Sequence, residues 1–231
     1  MVCLSALLSS IYMAGRIITI EGLDGCGKST QHKLLVNRLR KENYPVEEFG
    51  FPQYNRPTGK IIEKFLFGEL LGDPVLADPI SSALLFSYDR LDAREKLLSW
   101  LGEGRNIVLD RYMESNWAYQ SAKVSEEQRA SLIDSFKAIE IESFRLPCSD
   151  VVIYLDAPVK FCMEAMNEIG RRLDLHESNK DYLRDVQSTY NELAKNKDGW
   201  IKVLRHESYK KRLKKEIVHE IIWERVKPHL V

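Results

Sequence analysis

The stretch GLDGCGKS, residues Gly22 to Ser29, decides the fold. It fits the pattern G-x-x-x-x-G-K-[ST] without a mismatch. Its flanks agree, because residues 16–20 (RIITI) are typical of a buried β-strand and residues 30–40 have the spacing of an amphipathic helix. Loop amides between a strand and the N-terminus of a helix form a nest for anionic oxygens. The stretch therefore predicts a phosphate-binding loop for a nucleoside triphosphate.

The residue types in this loop suit that ligand. Glycines let the backbone approach the phosphates closely, Lys28 adds a mobile positive charge, and the Ser29 hydroxyl can bind a magnesium ion. A Gly-rich turn with a chance lysine is the simpler interpretation, and the strand–loop–helix context argues against it. We expect the triphosphate to contact Gly22, Asp24, Gly25, Cys26, Gly27, Lys28, Ser29 and Thr30.

Length and composition indicate one sizeable domain. Because its net charge is zero, any affinity for anions must come from a few groups at one site. The 231 residues suffice to bury a substantial core. The 34 Lys and Arg residues balance the 34 Asp and Glu residues, so we expect no nucleic-acid partner, which would favour a basic excess. The 4 cysteines show neither metal-ligand spacing nor a disulfide framework. Oxidation of Cys26 would harm the phosphate loop, which favours a reducing, cytoplasmic location.

Residues 1–15 are apolar enough to suggest a signal peptide, but they lack a basic n-region and the first strand follows almost at once. We expect an N-terminal extension that is disordered or not translated, with Met13 as an alternative start. Residues 16–231 are then a single domain. No other stretch is long and apolar enough to span a bilayer, so we expect no membrane partner.

Val- and Ile-rich runs alternate with helical stretches along the whole chain. Strands are predicted at 16–20, 46–51, 106–110, 150–156 and 200–204, and helices at 30–40, 57–68, 78–101, 114–122 and 209–226. This alternation predicts an α/β fold of three layers, with a five-stranded parallel sheet flanked by helices. Ligands of such folds bind outside the carboxyl ends of the strands.

The third predicted strand ends in a pair of residues suited to phosphate chemistry. An aspartate at a strand tip, here Asp110, can hold magnesium through water, and the adjacent Arg111 can bind a phosphate with two hydrogen bonds. A surface ion pair that closes the strand is the alternative, and the upstream phosphate loop makes it less favoured.

Two helical pairs suit a nucleobase that is held by stacking and by hydrogen bonds to its edge. Phe86 and Arg90 are four residues apart, and Asn116 and Tyr119 lie one turn apart on one helix face. Taken alone, Phe86 is more typical of a core residue and Arg90 of a solvated charge.

Five stretches, in this order, resemble thymidylate kinases (dTMP kinases). They are EGLDGCGKST (21–30), FPQYNRPTGK (51–60), LLFSYDR (84–90), LDRYMESNWAYQ (109–120) and RRLDLHES (171–178). The resemblance covers about residues 16–204. It implies the P-loop kinase fold with a short lid at about 168–178, transfer of the γ-phosphoryl group of ATP to dTMP with Mg2+, and a homodimer.

Carried over by position, the resemblance implies a site for the thymidine part of dTMP. Phe86 would stack on the thymine, Arg90 would donate to its O4, and Asn116 would meet the base edge near N3. Tyr119 would lie against the sugar and crowd a 2′-hydroxyl. Cytosine carries an amine where thymine carries O4, so a buried Arg90 would be left unpaired there, and such a mismatch costs orders of magnitude.

The resemblance also implies the contacts around the phosphate of dTMP. Arg111, with Phe51 and Tyr54, would frame that phosphate. Asp24 would lie near the phosphate, the metal and the 3′-hydroxyl, and Glu177 would act at the 3′ side. Lys28, Arg111 and Asp24 are thus expected catalytic residues, and Ser29 and Asp110 are the expected metal ligands.

Thymidylate kinases also need an arginine at the γ-phosphate, either in the phosphate loop or in the lid. The variable loop positions 23–26 hold no basic residue, whereas the lid holds Arg171 and Arg172. The chain thus resembles the lid-arginine subtype usual in bacteria, and the choice between the two arginines stays open. A basic helix end is the alternative. Arg56, farther from the Phe-Pro pair than in many relatives, has no assigned role.

Three other functions are alternatives to the phosphorylation of dTMP. A deoxynucleoside kinase must deprotonate a 5′-hydroxyl and needs a carboxylate near the tip of the second strand, where residues 51–53 offer none. Kinases of other nucleoside monophosphates share the fold. A regulator that binds nucleotide without turnover is expected to lose Lys28, Asp110, Arg111 or the lid arginines, all of which are present.

Overall fold

The computed structural model describes residues 15–170, 172–195, 198–208 and 211–231. The expected N-terminal extension, apart from Gly15, lies outside the described residues, as does its alternative start Met13. Within the described ranges, every helix is too short or too polar to cross a bilayer.

Five parallel strands form the central sheet. They are β1 (Ile17–Glu21), β2 (Val46–Gly50), β3 (Asn106–Asp110), β4 (Val151–Asp156) and β5 (Trp200–Leu204), in the order β2-β3-β1-β4-β5. In the central strand β1, Ile18 lies opposite Val108 on one side and Val151 on the other. All five residues of β1 are buried, as expected for a parallel sheet that is covered on both faces.

Helices cover both faces of this sheet. They are α1 (Lys28–Lys41), α2 (Pro57–Leu66), α3 (Pro79–Gly102), α4 (Met113–Ser121), α5 (Glu126–Lys137), α6 (Val159–Ile169), α7 (Leu175–Ser178), α8 (Lys180–Lys195) and α9 (Lys215–Val226). A π-helical segment, Ala138–Ser143, continues α5, and a 3-10 turn, Lys227–His229, follows α9. Helix α1 packs on α9, and α4 packs on α3 and α8. The fold class predicted from the sequence is therefore confirmed.

The C-terminal part corrects one prediction. The helix predicted from Tyr209 begins only at Lys215, and Tyr209 itself lies outside the described residues. A short antiparallel pair, β6 (His206–Ser208) with β7 (Lys211–Arg212), precedes it. The lysine-rich run has a helical composition, but strand pairing overrides that local preference.

Candidate active site

A cleft with a volume of about 850 Å³ opens at the carboxyl ends of β1, β2 and β3, where the fold class places ligands. Of the residues predicted for the site, its lining contains Asp24, Gly25, Gly27, Lys28, Ser29, Thr30, Phe51, Tyr54, Phe86, Arg90, Asp110, Arg111, Asn116, Tyr119, Arg172 and Glu177. Gly22 and Cys26 do not line it, and Arg171 lies outside the described residues. One cleft thus joins the predicted triphosphate and monophosphate ends.

The phosphate loop folds back on its own lysine. The Lys28 ammonium donates to the carbonyls of Gly22 (3.1 Å) and Leu23 (2.9 Å) and lies 3.4 Å from Asp24 Oδ1. These bonds hold a buried cation at the start of α1, where the helix N-terminus already favours anions. The positive charge is therefore positioned by backbone carbonyls and by one acid.

Gly25 lies where no side chain fits. Its φ is +80°, and a Cβ there would lie 2.2 Å from the backbone oxygen of Cys162. Cys162 belongs to α6, the helix that leads into the lid. The phosphate loop therefore rests directly on the backbone of α6, and only glycine permits this approach.

Arg111 extends from the tip of β3 toward the loop. Its Nη2 donates to Asp24 Oδ1 (2.6 Å) and to the Tyr119 hydroxyl (3.3 Å), and its Nη1 donates to Ser115 Oγ (3.0 Å). Burial opposes ionisation of Asp24, but the charges of Arg111 and Lys28 outweigh it and hold the pKa of Asp24 well below its usual range. The result is a fixed anion between two cations.

Ser29 and Asp110, the predicted metal ligands, lie side by side. The Ser29 hydroxyl donates to Asp110 Oδ2 over 2.8 Å. A hydroxyl and a carboxylate are oxygen donors of the kind that Mg2+ takes, so the pair fits this ion. Among the described residues no group of 3 or more His, Cys, Asp or Glu side chains could hold a metal alone. Phosphate oxygens and water would therefore have to complete the coordination.

Glu21, at the end of β1, is a residue of this site that the sequence analysis missed. It is completely buried and accepts hydrogen bonds from Tyr112 N (2.8 Å), Ser115 Oγ (2.6 Å) and Tyr190 Oη (2.7 Å). Burial raises the pKa of this carboxyl despite the nearby charge of Arg111. Glu21 thereby fixes the first turn of α4, and this turn places Ser115 where its hydroxyl accepts from Arg111. An acid directly after an apolar strand, at the ligand edge of the sheet, is the signal that could have found it.

The base end of the cleft holds a second missed acid, Glu140. Arg90, which is 2% exposed, forms an ion pair with Glu140, and its Nε donates to Glu140 Oε1 over 2.7 Å. Asn116 Nδ2 donates to the carbonyl of Ala83 (3.1 Å) and to Ser87 Oγ (3.2 Å). Arg90 and Asn116 therefore belong to one buried polar cluster. No local sequence signal identifies Glu140, because it alternates with apolar residues in AIEIES (138–143) just as the exposed Glu142 does.

Four residues of the predicted lid line one side of the cleft, namely Arg172, Asp174, His176 and Glu177. Asp174 caps the short α7 by accepting from Glu177 N (2.8 Å), and the Glu177 side chain accepts from Asp174 N (3.1 Å). This capping box satisfies two backbone donors and orients the carboxylate that the resemblance assigns to the 3′ side. The guanidinium of Arg172 lies 4.7 Å from the centre of the Phe67 ring, next to α2.

The loop after β2 explains the departure noted at Arg56. Gln53 N donates to Asp89 Oδ2 (2.8 Å), which ties this loop to α3. Arg56 instead binds Asp92 through Nε (2.9 Å) and Nη2 (3.0 Å), and it does not line the cleft. Tyr54 lines the cleft from the same loop. Arg56 is thus bound at the surface, away from the predicted phosphate contacts.

Comparison with known proteins agrees with this geometry. The family model described as thymidylate kinase matches residues 20–217. The chain is 35% identical over 185 residues to the probable thymidylate kinase of Pyrococcus horikoshii (79% of this chain, 84% of the relative) and 30% identical over 187 residues to the thymidylate kinase of Thermoanaerobacter pseudethanolicus (79% and 85%). The solved thymidylate kinase of Candida albicans superposes with a TM-score of 0.69 at 25% identity, covering 94% of this chain and 92% of that one. The chain belongs to the thymidylate kinase family.

Proposed function

We propose that this enzyme transfers the γ-phosphoryl group of ATP to dTMP, giving ADP and dTDP for the synthesis of dTTP. The observation that carries the proposal is the placement of Arg111, whose guanidinium reaches Asp24 in the phosphate loop from the tip of β3. The same cleft continues to Phe86 and Arg90. It therefore offers a triphosphate cradle and a base site on the two sides of one cation.

The chemistry fits this arrangement because a phosphate acceptor is already ionised. No general base has to deprotonate it, and catalysis is mainly positioning with neutralisation of charge. Lys28 would meet the triphosphate, and Arg111 would meet the phosphate of dTMP. Asp24, held by both cations, would keep them apart and correctly directed.

Magnesium is part of the proposal. Ser29 and Asp110 would hold it, and the ion would supply neutralisation of charge on the triphosphate. Both side chains lie in the lining of the cleft, on the phosphate-loop side.

We assign the γ-phosphate arginine to the lid, as in the lid-arginine subtype. Loop positions 23–26 hold no basic residue, and Arg172 lines the cleft from the lid. Arg171 is the other candidate. An arginine that meets the γ-phosphate contributes about 10³- to 10⁵-fold to the rate of phosphoryl transfer.

Tyr119 supports the preference for a deoxynucleotide. It is 7% exposed, and its hydroxyl donates to Asp24 Oδ2 over 3.3 Å. A ring that is held in this way cannot move aside easily for a 2′-hydroxyl. The variant Tyr119→Ala removes this ring and should accept ribonucleotides better than the unchanged enzyme.

We also propose a cytoplasmic homodimer. Helix α3 carries apolar side chains that remain partly or fully exposed on one face, at successive spacings of 4, 3 and 7 residues, namely Leu84, Tyr88, Leu91 and Leu98. A stripe with this spacing on a long helix suits a second copy of the same helix. The buried thiol of Cys26 in the phosphate loop favours a reducing compartment.

A coupled assay of ATP consumption over a panel of nucleoside monophosphates tests the activity. We expect turnover of dTMP to exceed that of dUMP, dCMP and UMP. A preference for any ribonucleotide, or phosphorylation of thymidine with no turnover of dTMP, would contradict the assignment. Binding of ATP without turnover of any monophosphate would support the regulator instead.

A further inference from the structure

Glu140 stands at the centre of the polar cluster at the base end of the cleft. It lies in the π-helical segment after α5 and is completely buried. Its Oε1 lies 2.7 Å from Arg90 Nε, 2.9 Å from Ser87 Oγ and 3.5 Å from Asn116 Nδ2, and Arg90 Nη2 also donates to it. One carboxylate oxygen therefore holds side chains from both α3 and α4.

The charge of this cluster matters because thymine is neutral. A buried guanidinium beside a neutral base would be an uncompensated charge, which is costly at low exposure. Arg90 is 3% exposed at its side chain and Glu140 is 0% exposed, so water does little to compensate either charge. Their ion pair makes the wall of the base site neutral overall while keeping hydrogen-bond donors available.

The pairing also directs the guanidinium. Arg90 Nε and Nη2 both donate to Glu140 Oε1, which fixes the plane of the group. Within the described ranges, Nη1 is the guanidinium nitrogen for which no hydrogen bond is found, and Arg90 lines the cleft. The available donor is thus set by the carboxylate behind it and not by the flexible arginine chain.

We propose that Glu140 is a positioning residue that sets the selectivity of the base site by fixing Arg90 as a donor for a carbonyl oxygen. The proposal rests on the proposed function, which places a pyrimidine base beside Arg90. A base with a carbonyl at position 4 pairs with this donor, whereas an amino group there leaves both donors unpaired. Asn116, held by the same carboxylate and by Ser87, keeps its place relative to Arg90.

The test compares Glu140→Gln with the matched control Glu142→Gln, an exposed acid two residues away in the same segment. We expect Glu140→Gln to raise the KM for dTMP about 10- to 100-fold, with a smaller change in kcat and the KM for ATP unchanged. The ratio of kcat/KM for dTMP to that for dCMP should fall at least about tenfold, because the donor is no longer fixed. Glu142→Gln should behave like the unchanged enzyme in all four quantities.

If Glu140→Gln folds poorly, a double variant still tests the proposal. The double variant Arg90→Gln with Glu140→Gln removes both buried charges and should regain stability over Glu140→Gln. Because Glu140 acts through Arg90, the double variant should have the same dTMP/dCMP ratio as Arg90→Gln alone. A further loss of selectivity in the double variant, beyond that of Arg90→Gln, would overturn the proposal.

The outcomes separate the two proposals. If the unchanged enzyme does not phosphorylate dTMP, the proposed function fails. If it does, but Glu140→Gln lowers the melting temperature and leaves the KM for dTMP and the dTMP/dCMP ratio unchanged, then Glu140 is only structural and this inference alone is overturned.

Discussion

Arg111 connects the phosphate loop, through Asp24, with the side of the cleft that holds Tyr119. We predict that Arg111→Lys lowers kcat/KM for dTMP at least about 100-fold, because an ammonium keeps the charge but loses the planar fork that binds two oxygens. The KM for ATP should change little. Steady-state kinetics with each substrate varied in turn measures both effects.

Arg105→Lys is the control for that substitution. Arg105 immediately precedes β3, with a side chain that is 43% exposed and pairs with Glu47 and Glu103. Its replacement should leave the kinetics unchanged. Near-normal kcat/KM in Arg111→Lys would show that the strand-tip guanidinium does not bind the phosphate of dTMP.

Asp24 should remain ionised over the working pH range. Its folded pKa is depressed by Arg111 and Lys28, so the stabilisation that it contributes is present above the unfolded pKa and is lost only in strong acid. Asp24→Asn should therefore lower kcat/KM by the same factor at every pH from about 5 to 8. If kcat/KM of the unchanged enzyme divided by that of Asp24→Asn decreased at pH values under 6, Asp24 would titrate in that range.

Glu114, in the first turn of α4, makes the opposite contribution. Burial and the negative charge of Glu21 raise its pKa from the ordinary value of 4.5 to about 8. Between these two pH values the folded state binds the extra proton, so the free energy of unfolding falls as pH rises.

We predict that Glu114→Gln flattens this dependence and raises the melting temperature at pH 8 by about 5 °C or more. Glu126→Gln, at an exposed position in α5, should do neither. Thermal unfolding at pH 5 and pH 8 measures the difference. A variant that loses stability equally at both pH values would show that the carboxylate is ionised and paired in the folded protein.

At the scale of elements, our proposal places the γ-phosphate arginine in the predicted lid. We predict that Arg171→Ala or Arg172→Ala lowers kcat at least about 100-fold and raises either KM much less, for whichever residue reaches the γ-phosphate. Arg184→Ala is the control, since its side chain on α8 is 57% exposed. Unchanged kcat in both lid variants would remove the γ-phosphate role from the lid.

Elements with a strong and local signal were predictable from the sequence. The strands predicted at 106–110 and 200–204 coincide with β3 and β5, because apolar runs between polar ends define buried strands. The start of α9 was not predictable, since it depends on pairing between β6 and β7. Helices α5 and α8 lie in polar stretches, and their bounds were not predicted. Helix α6 was not predicted either, although Pro158 precedes it and Gly170 follows it.

In the candidate site too, residues whose partners are distant in sequence could not be predicted. Most candidate residues in the five family stretches line one cleft, because each stretch is short and follows a strand or lies on one helix face. Their roles stay predictions. Glu140 was not predicted, since its partner Arg90 is 50 residues away in sequence and only the packing of α5 against α4 brings it near. Glu140 supports the site through tertiary contacts, of which a single sequence carries no record, whereas Glu21 has the local signal of an acid at the end of an apolar strand.

For the whole molecule, we predict a dimer with a mass of about twice 26.8 kDa. Leu91→Glu places a charge in the apolar stripe of α3 and should give monomers, because an unpaired charge at an interface core costs much of the association energy. Leu76→Glu, at a residue that is 83% exposed outside the stripe, should leave the dimer intact. Light scattering after gel filtration distinguishes the two, and a dimer in Leu91→Glu would place the interface elsewhere.

If the proposed lid moves, the close approach of Gly25 to the backbone of Cys162 limits where it can pivot. Since the phosphate cradle rests on the backbone of α6, that helix cannot tilt without dislodging the cradle. The pivot must therefore lie beyond Cys162, and the end of α6 provides one at Gly170, whose φ is +71° and whose surroundings are open. Arg172 would then move about this point while the ATP end of the enzyme stays still.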